Sequence, residues 1–153
     1  VGAGRRARLA LIGAVAAVVA VADQLTKAWA LDRLAAGDVH VVGPVWLRLT
    51  YNTGGAFSLG RGNPWFFAVA ALVLAVVLIL FGRHLRSPLV AVALGLVVGG
   101  AAGNLADRLL RDTGGAVVDF VDVGFWPVFN LADAAVTMGA IGLLVGTRER
   151  PDR

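Results

Sequence analysis

Long apolar runs separated by short polar stretches dominate the chain, and they fall in four blocks. The first runs from Leu9 to about Leu31, with a helical pattern continuing to about Leu34; the second from Trp65 to Phe81; the third from Ser87-Pro88 to about Arg108; the fourth from Phe129 to Thr147. At the rise of an α-helix the first block covers roughly 34 Å, enough to cross a hydrocarbon core of about 30 Å. The other three lie near the short limit for spanning, so little tilt is expected. Asn63-Pro64 and Ser87-Pro88 read as helix starts, a capping side chain followed by a proline whose missing N–H is harmless there. Between the first two blocks the period changes. Leu47, Leu49 and Tyr51 alternate with Arg48 and Thr50, as in a strand with one covered face, and Gly43-Pro44 predicts a turn before it. The pattern predicts an all-α membrane protein with four transmembrane helices and a small extracytoplasmic β-sheet and loop region, forming a single integral membrane domain over residues 1–153.

Arg5, Arg6 and Arg8 ahead of the first block resemble the start of a signal peptide. The block is too long for that, and no Ala-x-Ala cleavage site follows a short apolar core, so a retained membrane helix is expected. Arginines also orient the spans. Arg5, Arg6 and Arg8 precede the first, Arg83 and Arg86 lie between the second and third, and Arg148, Arg150 and Arg153 follow the fourth. The other two connections carry Asp32, Asp38, Asp112, Asp119 and Asp122 beside fewer arginines. The positive-inside rule then places both termini in the cytoplasm and residues 35–63 and 109–128 outside. Trp29, Trp46, Trp65 and Trp126 fall near the outer interface, where indole rings are favoured.

Composition narrows the chemistry. The chain of 153 residues is 58% hydrophobic and 16% charged, below the roughly 25% usual for a soluble domain. Cysteine is absent, which excludes a disulfide framework and a thiolate nucleophile. With two histidines and no cysteine, a structural zinc site is not expected. The net charge of +4 comes mostly from residues flanking apolar blocks rather than from one basic face, so no nucleic-acid partner is expected. The only serines are Ser58 and Ser87, with Ser87 on the cytoplasmic side, and His40 and His84 lie on opposite sides, so no Ser-His triad assembles.

Ionisable groups in or beside the spans remain to be explained, because their desolvation is costly. Asp23 and Lys27 share a face of the first helix, an arrangement suited to an ion pair or to a snorkelling structural pair. Asn104, Asp107 and Arg108 close the third span. As immediate neighbours Asp107 and Arg108 pair poorly with one another, so each is expected to reach another segment, and Gly99, Gly100 and Gly103 before them allow close helix approach. Asp133 stands near the start of the fourth span, where Asn130 is a candidate cap. Asp119 lies in an apolar stretch just outside the membrane. Asp119 and Asp133 are thus two carboxylates at one depth, reached from opposite ends of a short loop. Such a pair can share a proton, one member acting as base toward water and the other as acid. A small transporter would also carry aspartates in its spans, but nearer the midplane or on both sides; a structural membrane subunit would need no paired carboxylates.

The motifs themselves resemble those of lipoprotein signal peptidases, the bacterial type II signal peptidases. They are Asp23-Gln24-Leu25-Thr26-Lys27, Asn52-Thr53-Gly54-Gly55-Ala56-Phe57-Ser58, Gly103-Asn104-Leu105-Ala106-Asp107-Arg108, Val117-Val118-Asp119-Phe120 and Phe129-Asn130-Leu131-Ala132-Asp133, in order along essentially the whole chain. The resemblance implies a membrane aspartyl endopeptidase of the bacterial plasma membrane, with its active site at the outer face. Its implied reaction removes the signal peptide from diacylglyceryl-modified prolipoproteins, just before the lipidated cysteine. Asp119 and Asp133 match the catalytic pair. Asn52, Gly54, Asn104, Arg108 and Asn130 match residues that bind substrate or support the site, and Asp23, Lys27 and Asp107 match a conserved polar framework. No metal or cofactor is implied. The expected partners are the prolipoprotein, membrane lipid and cyclic peptide inhibitors such as globomycin, and a monomer is expected. Gly55 departs from the alanine common in the family; it loosens the loop without removing a chemical group.

Overall fold

The structure, a computed structural model, describes residues 2–53 and 87–148. The second apolar block, Gly54, Gly55, Ser58, Trp65, Arg83, His84, Arg86, Arg150 and Arg153 lie outside the described residues. Three helices and three strands follow one another: α1 (Gly2–Arg33), β1 (Val39–Val42), β2 (Val45–Asn52), α2 (Pro88–Leu110), β3 (Val117–Asp122) and α3 (Leu131–Arg148). Among the described residues, α1 and α2 are long and apolar enough to cross a membrane, and α3 contains a shorter apolar stretch, Leu131–Gly146.

Helix α1 begins well before the expected Leu9, because the arginine-rich start is itself helical. Ser87 precedes α2 in extended conformation with Pro88 at the first turn, as the sequence predicts, although the serine side chain makes no capping bond. Helix α3 starts two residues later than the apolar pattern suggests. Phe129 instead exchanges backbone hydrogen bonds with Val121, its N–H donating to the Val121 carbonyl at 3.0 Å and its carbonyl accepting from the Val121 N–H at 2.9 Å.

Helix α2 is the central element, packed by α1 on one side and α3 on the other. Its glycines make that possible. A Cβ on Gly103 would lie 2.5 Å from the Asp23 carboxylate, and one on Gly100 would lie 2.5 Å from the Ala132 carbonyl. Neither neighbour can retreat far, so glycine sets how closely α1 and the start of α3 approach α2.

The strands form one antiparallel sheet in the order β1-β2-β3. The strand expected around Leu47–Tyr51 is β2, and the turn at Gly43-Pro44 has Gly43 in the left-handed region, at φ 52°. Strand β3 pairs with β2 through Thr50↔Asp119 and Asn52↔Val117, so Asn52 and Asp119 come from neighbouring strands. The underside of the sheet closes against the end of α1: Phe120 packs with Ala30 and Leu34, joined by Leu47, Leu49 and Val121. Trp29 meets Phe120 edge-on with centroids 6.5 Å apart, Trp46 lies against His40 at 4.6 Å, and Trp126 is largely exposed. Asp122 is not the solvated loop charge that its position suggests. It pairs with Arg48 at 3.0 Å and accepts the Gly124 N–H at 2.7 Å.

Candidate active site

Asp23, Lys27, Asp107, Asp119 and Asn130 are almost completely buried. Burying charge costs several kcal/mol per ion unless each is paired and hydrogen-bonded. The cost is met first around Lys27. Its ammonium reaches Asp23 Oδ2 at 2.8 Å, Asp107 Oδ2 at 3.0 Å and Asn104 Oδ1 at 3.0 Å, which uses all three of its donors. The pair with Asp23 is therefore fully buried rather than snorkelling. Asp107 also accepts from the Val118 N–H and Gln24 Nε2, both at 3.0 Å, and from Arg111 Nε at 3.1 Å. Arg111 in turn donates to Gln24 Oε1 at 2.9 Å. Two carboxylates and two cations thus close into one neutral cluster that joins α1, α2 and β3. Asp23 Oδ1 accepts the Ala132 N–H at 3.0 Å and so ties the first turn of α3 to α1, where a carboxylate is favoured.

Arg108 Nη1 donates at 3.2 Å to the carbonyl of Asn104 on its own helix, and its Nε has no hydrogen-bond partner among the described residues. It nevertheless lies close enough to Asp133, Asp119 and Asp107 to interact with their charges. Gln24 and Arg111 carry framework roles that the sequence did not reveal. Gln24 stands inside a quoted motif and could have been suspected there; Arg111 has no such signal.

Asp119 and Asp133 are joined by a ladder of side-chain amides. Asn52 donates to Asp119 Oδ2 at 3.0 Å and Asn130 donates to Asp119 Oδ1 at 2.7 Å. Asn130 also donates to Asn104 Oδ1 at 3.0 Å, and Asn104 donates to Asp133 Oδ1 at 2.9 Å. Asn130 caps α3 as predicted: its Oδ1 accepts the Asp133 N–H at 2.9 Å, while its own N–H donates to Asp133 Oδ2 at 3.3 Å. This is a reciprocal capping box with aspartate in the return position. Burial, and then the neighbouring charge of Asp133, push the Asp119 carboxyl up to about 6, against the opposing hydrogen bonds of Asn52 and Asn130. Each of Asn52, Asn104, Asn130, Asp119 and Asp133 therefore sits in one hydrogen-bonded set, with Asp23, Lys27 and Asp107 directly behind it. Gly54 lies outside the described residues. Beside Asp133 opens a cavity of about 350 Å³, walled mainly by Val123, Phe129, Ala134 and Met138, with Phe125 and Trp126 at its exposed rim.

Two carboxylates held in one hydrogen-bonded set by side-chain amides, one of them pushed up to about 6, are the groups that an aspartic peptidase requires. The family model for signal peptidase (SPase) II matches residues 15–147. The chain is 46% identical over 145 residues to the lipoprotein signal peptidase of Rhodococcus jostii, covering 92% of this chain and 73% of the relative. It is 40% identical over 131 residues to that of Syntrophomonas wolfei, covering 84% and 86%. A solved bacterial membrane enzyme superposes with a TM-score of 0.77 at 27% identity, covering 90% of this chain and 92% of the other. The chain belongs to the signal peptidase II family, whose members are aspartic proteases of the membrane.

Proposed function

We propose that the chain cleaves diacylglyceryl-modified prolipoproteins just before the lipidated cysteine, with Asp119 and Asp133 activating water. The convergence of both carboxylates on the Asn52, Asn130 and Asn104 amides carries this reading. One carboxylate takes a proton from water as it attacks the scissile carbonyl; the other gives its proton to the carbonyl oxygen. The substrate enters laterally from the outer leaflet, and the apolar cavity beside Asp133 receives part of it. Cyclic peptides such as globomycin occupy the same site, and the enzyme works as a monomer among membrane lipids.

Lipid recognition is the sharpest test. Each acyl CH₂ contributes roughly 0.8 kcal/mol of membrane anchoring, but an unlipidated precursor also inserts through its signal peptide. Anchoring alone therefore does not discriminate, and selectivity requires a dedicated apolar surface for the acyl chains. Purified protein in one membrane should cleave a diacylated precursor and leave its unlipidated match intact, read by gel shift. Equal rates would exclude the groove.

The topology proposed is four spans with both termini cytoplasmic and residues 35–63 and 109–128 outside, from the arginine distribution. Cysteines placed at exposed Asp38 and Arg5 report it in intact cells. An impermeant thiol reagent should label position 38 and spare position 5; the reverse pattern would invert the orientation.

A further inference from the structure

The cavity beside Asp133 has a firm wall. That wall is the segment between β3 and α3, closed at its base by the backbone pair of Val121 and Phe129 and at its turn by the Gly124 N–H on Asp122. Phe125 and Trp126 share the cavity with Thr137 and Met138, which lie about two turns into α3. The segment therefore hangs alongside the helix rather than above its end. Its lining suits hydrocarbon. Besides Asp133, the polar side chains are Thr137, whose hydroxyl donates to the Asp133 carbonyl at 2.9 Å, and Trp126, which stands at the exposed rim. A peptide threaded through this space would leave N–H and C=O groups unmatched, whereas an alkyl chain would not.

Below the cavity the same face of α3 continues. Ala134, Met138, Ile141 and Val145 form one stripe at helical spacing, and the last three are exposed. The adjacent face, with Gly139, Gly142 and Gly146, packs on Ala93, Val97 and Val90 of α2 and is closed to any ligand. From Ala134 to Val145 the stripe runs roughly 17 Å along the helix, about the depth of one leaflet of a 30 Å hydrocarbon core.

We propose that the cavity beside Asp133 and the Met138–Ile141–Val145 stripe beneath it seat one acyl chain of the diacylglyceryl group on the substrate cysteine. The inference rests on the function proposed above, which puts the scissile bond on the amino side of that cysteine. The thioether sulfur is then separated from the scissile nitrogen by Cα and Cβ alone. The lipid must leave the reacting atoms along an apolar surface that begins at the dyad, and Asp133 stands at the head of this one. Trp126 at the rim places an indole donor at the level of the glyceryl esters. A chain laid along α3 in this way fixes the cysteine beside Asp133, so that the lipid acts through contact and not through anchoring alone.

Two measurements test the seat. The first uses Asp119→Asn protein, which is expected to bind precursor without cleaving it, and a precursor carrying a diazirine in one palmitoyl chain. Photolysis should label Met138, Ile141 or Val145 well above the background given by a phospholipid with the same diazirine chain. Labelling at the exposed Val18, Val21 or Leu25 of α1 instead, or a pattern equal to that of the phospholipid, would overturn the proposal. So would labelling of Met138 from a diazirine in the signal peptide rather than in the acyl chain. The second measurement compares dihexanoyl and dipalmitoyl precursors. Wild-type KM should be lower for the longer chains. In Ile141→Trp, which fills the stripe below Met138, that KM advantage should shrink about tenfold, the worth of roughly two buried methylenes. A general folding defect would move both KM values together. An undiminished advantage in the folded variant would overturn the seat. Wild-type cleavage of the diacylated precursor would still uphold the proposed function in each of these cases, whereas failure to cleave it would remove that function and the seat with it.

Discussion

Purified D119N and D133N should each lose turnover of a diacylated precursor by on the order of 10³-fold or more, since neither can complete the proton cycle. The double variant should be hardly worse than either single one, because groups acting as a unit are not additive on removal. In D133N the new NH₂ must face either Asn104 Nδ2 or the Asn130 N–H, both held as donors, which leaves donors opposed at about 1–3 kcal/mol. D133N should therefore unfold at lower temperature than the wild-type protein while still binding a cyclic peptide inhibitor. Asp122 is a poor control because of its pairing with Arg48; exposed Asp112 serves better, and Asp112→Asn should retain activity. Substantial turnover by folded D119N or D133N would defeat the dyad.

Lys27→Met should produce the largest loss of stability, about 3–5 kcal/mol, the usual consequence of leaving buried charges without their partner. Asp23 and Asp107 would remain at zero exposure with Arg111, against Asp107, as the one cation in contact among the described residues. Adding Asp23→Asn and Asp107→Asn should recover part of the folded protein, because the excess negative charge is removed while one acceptor survives at each position. Thermal unfolding in detergent, followed by monodispersity, reads both effects. A K27M protein as stable as wild type would mean that the cluster is not a charge balance.

Local pattern announced much of this architecture. Apolar length marked α1, α2 and α3, alternation marked β2, and the four-residue spacing of Asp23 and Lys27 marked their ion pair. Strand β3 was not recognised as one, because Val117–Phe120 are buried on both faces and the alternation that identifies a half-covered strand is lost. Asp119 and Asp133 stood out as isolated charges in apolar surroundings. Their connection did not, since it runs through Asn104, which lies 29 residues from Asp133 and 77 from Lys27. The sequence neighbours of Arg108 implied a reach to another segment; its guanidinium bonds to the Asn104 carbonyl on its own helix and interacts with the charges of Asp133 and Asp119 on α3 and β3.

The double duty of Asn130 ties chemistry to time. One amide both closes the first turn of α3 and donates to Asp119. Helix ends fray, and in most proteins the fraying of one turn is silent. Here each opening of that turn would withdraw the Asp133 N–H from Asn130 and loosen the hydrogen-bonded set around the proposed dyad. The lifetime of a single helical turn therefore sets an upper bound on how long the enzyme stays competent between openings. Amide hydrogen exchange at Asp133 would report that interval without any substrate present.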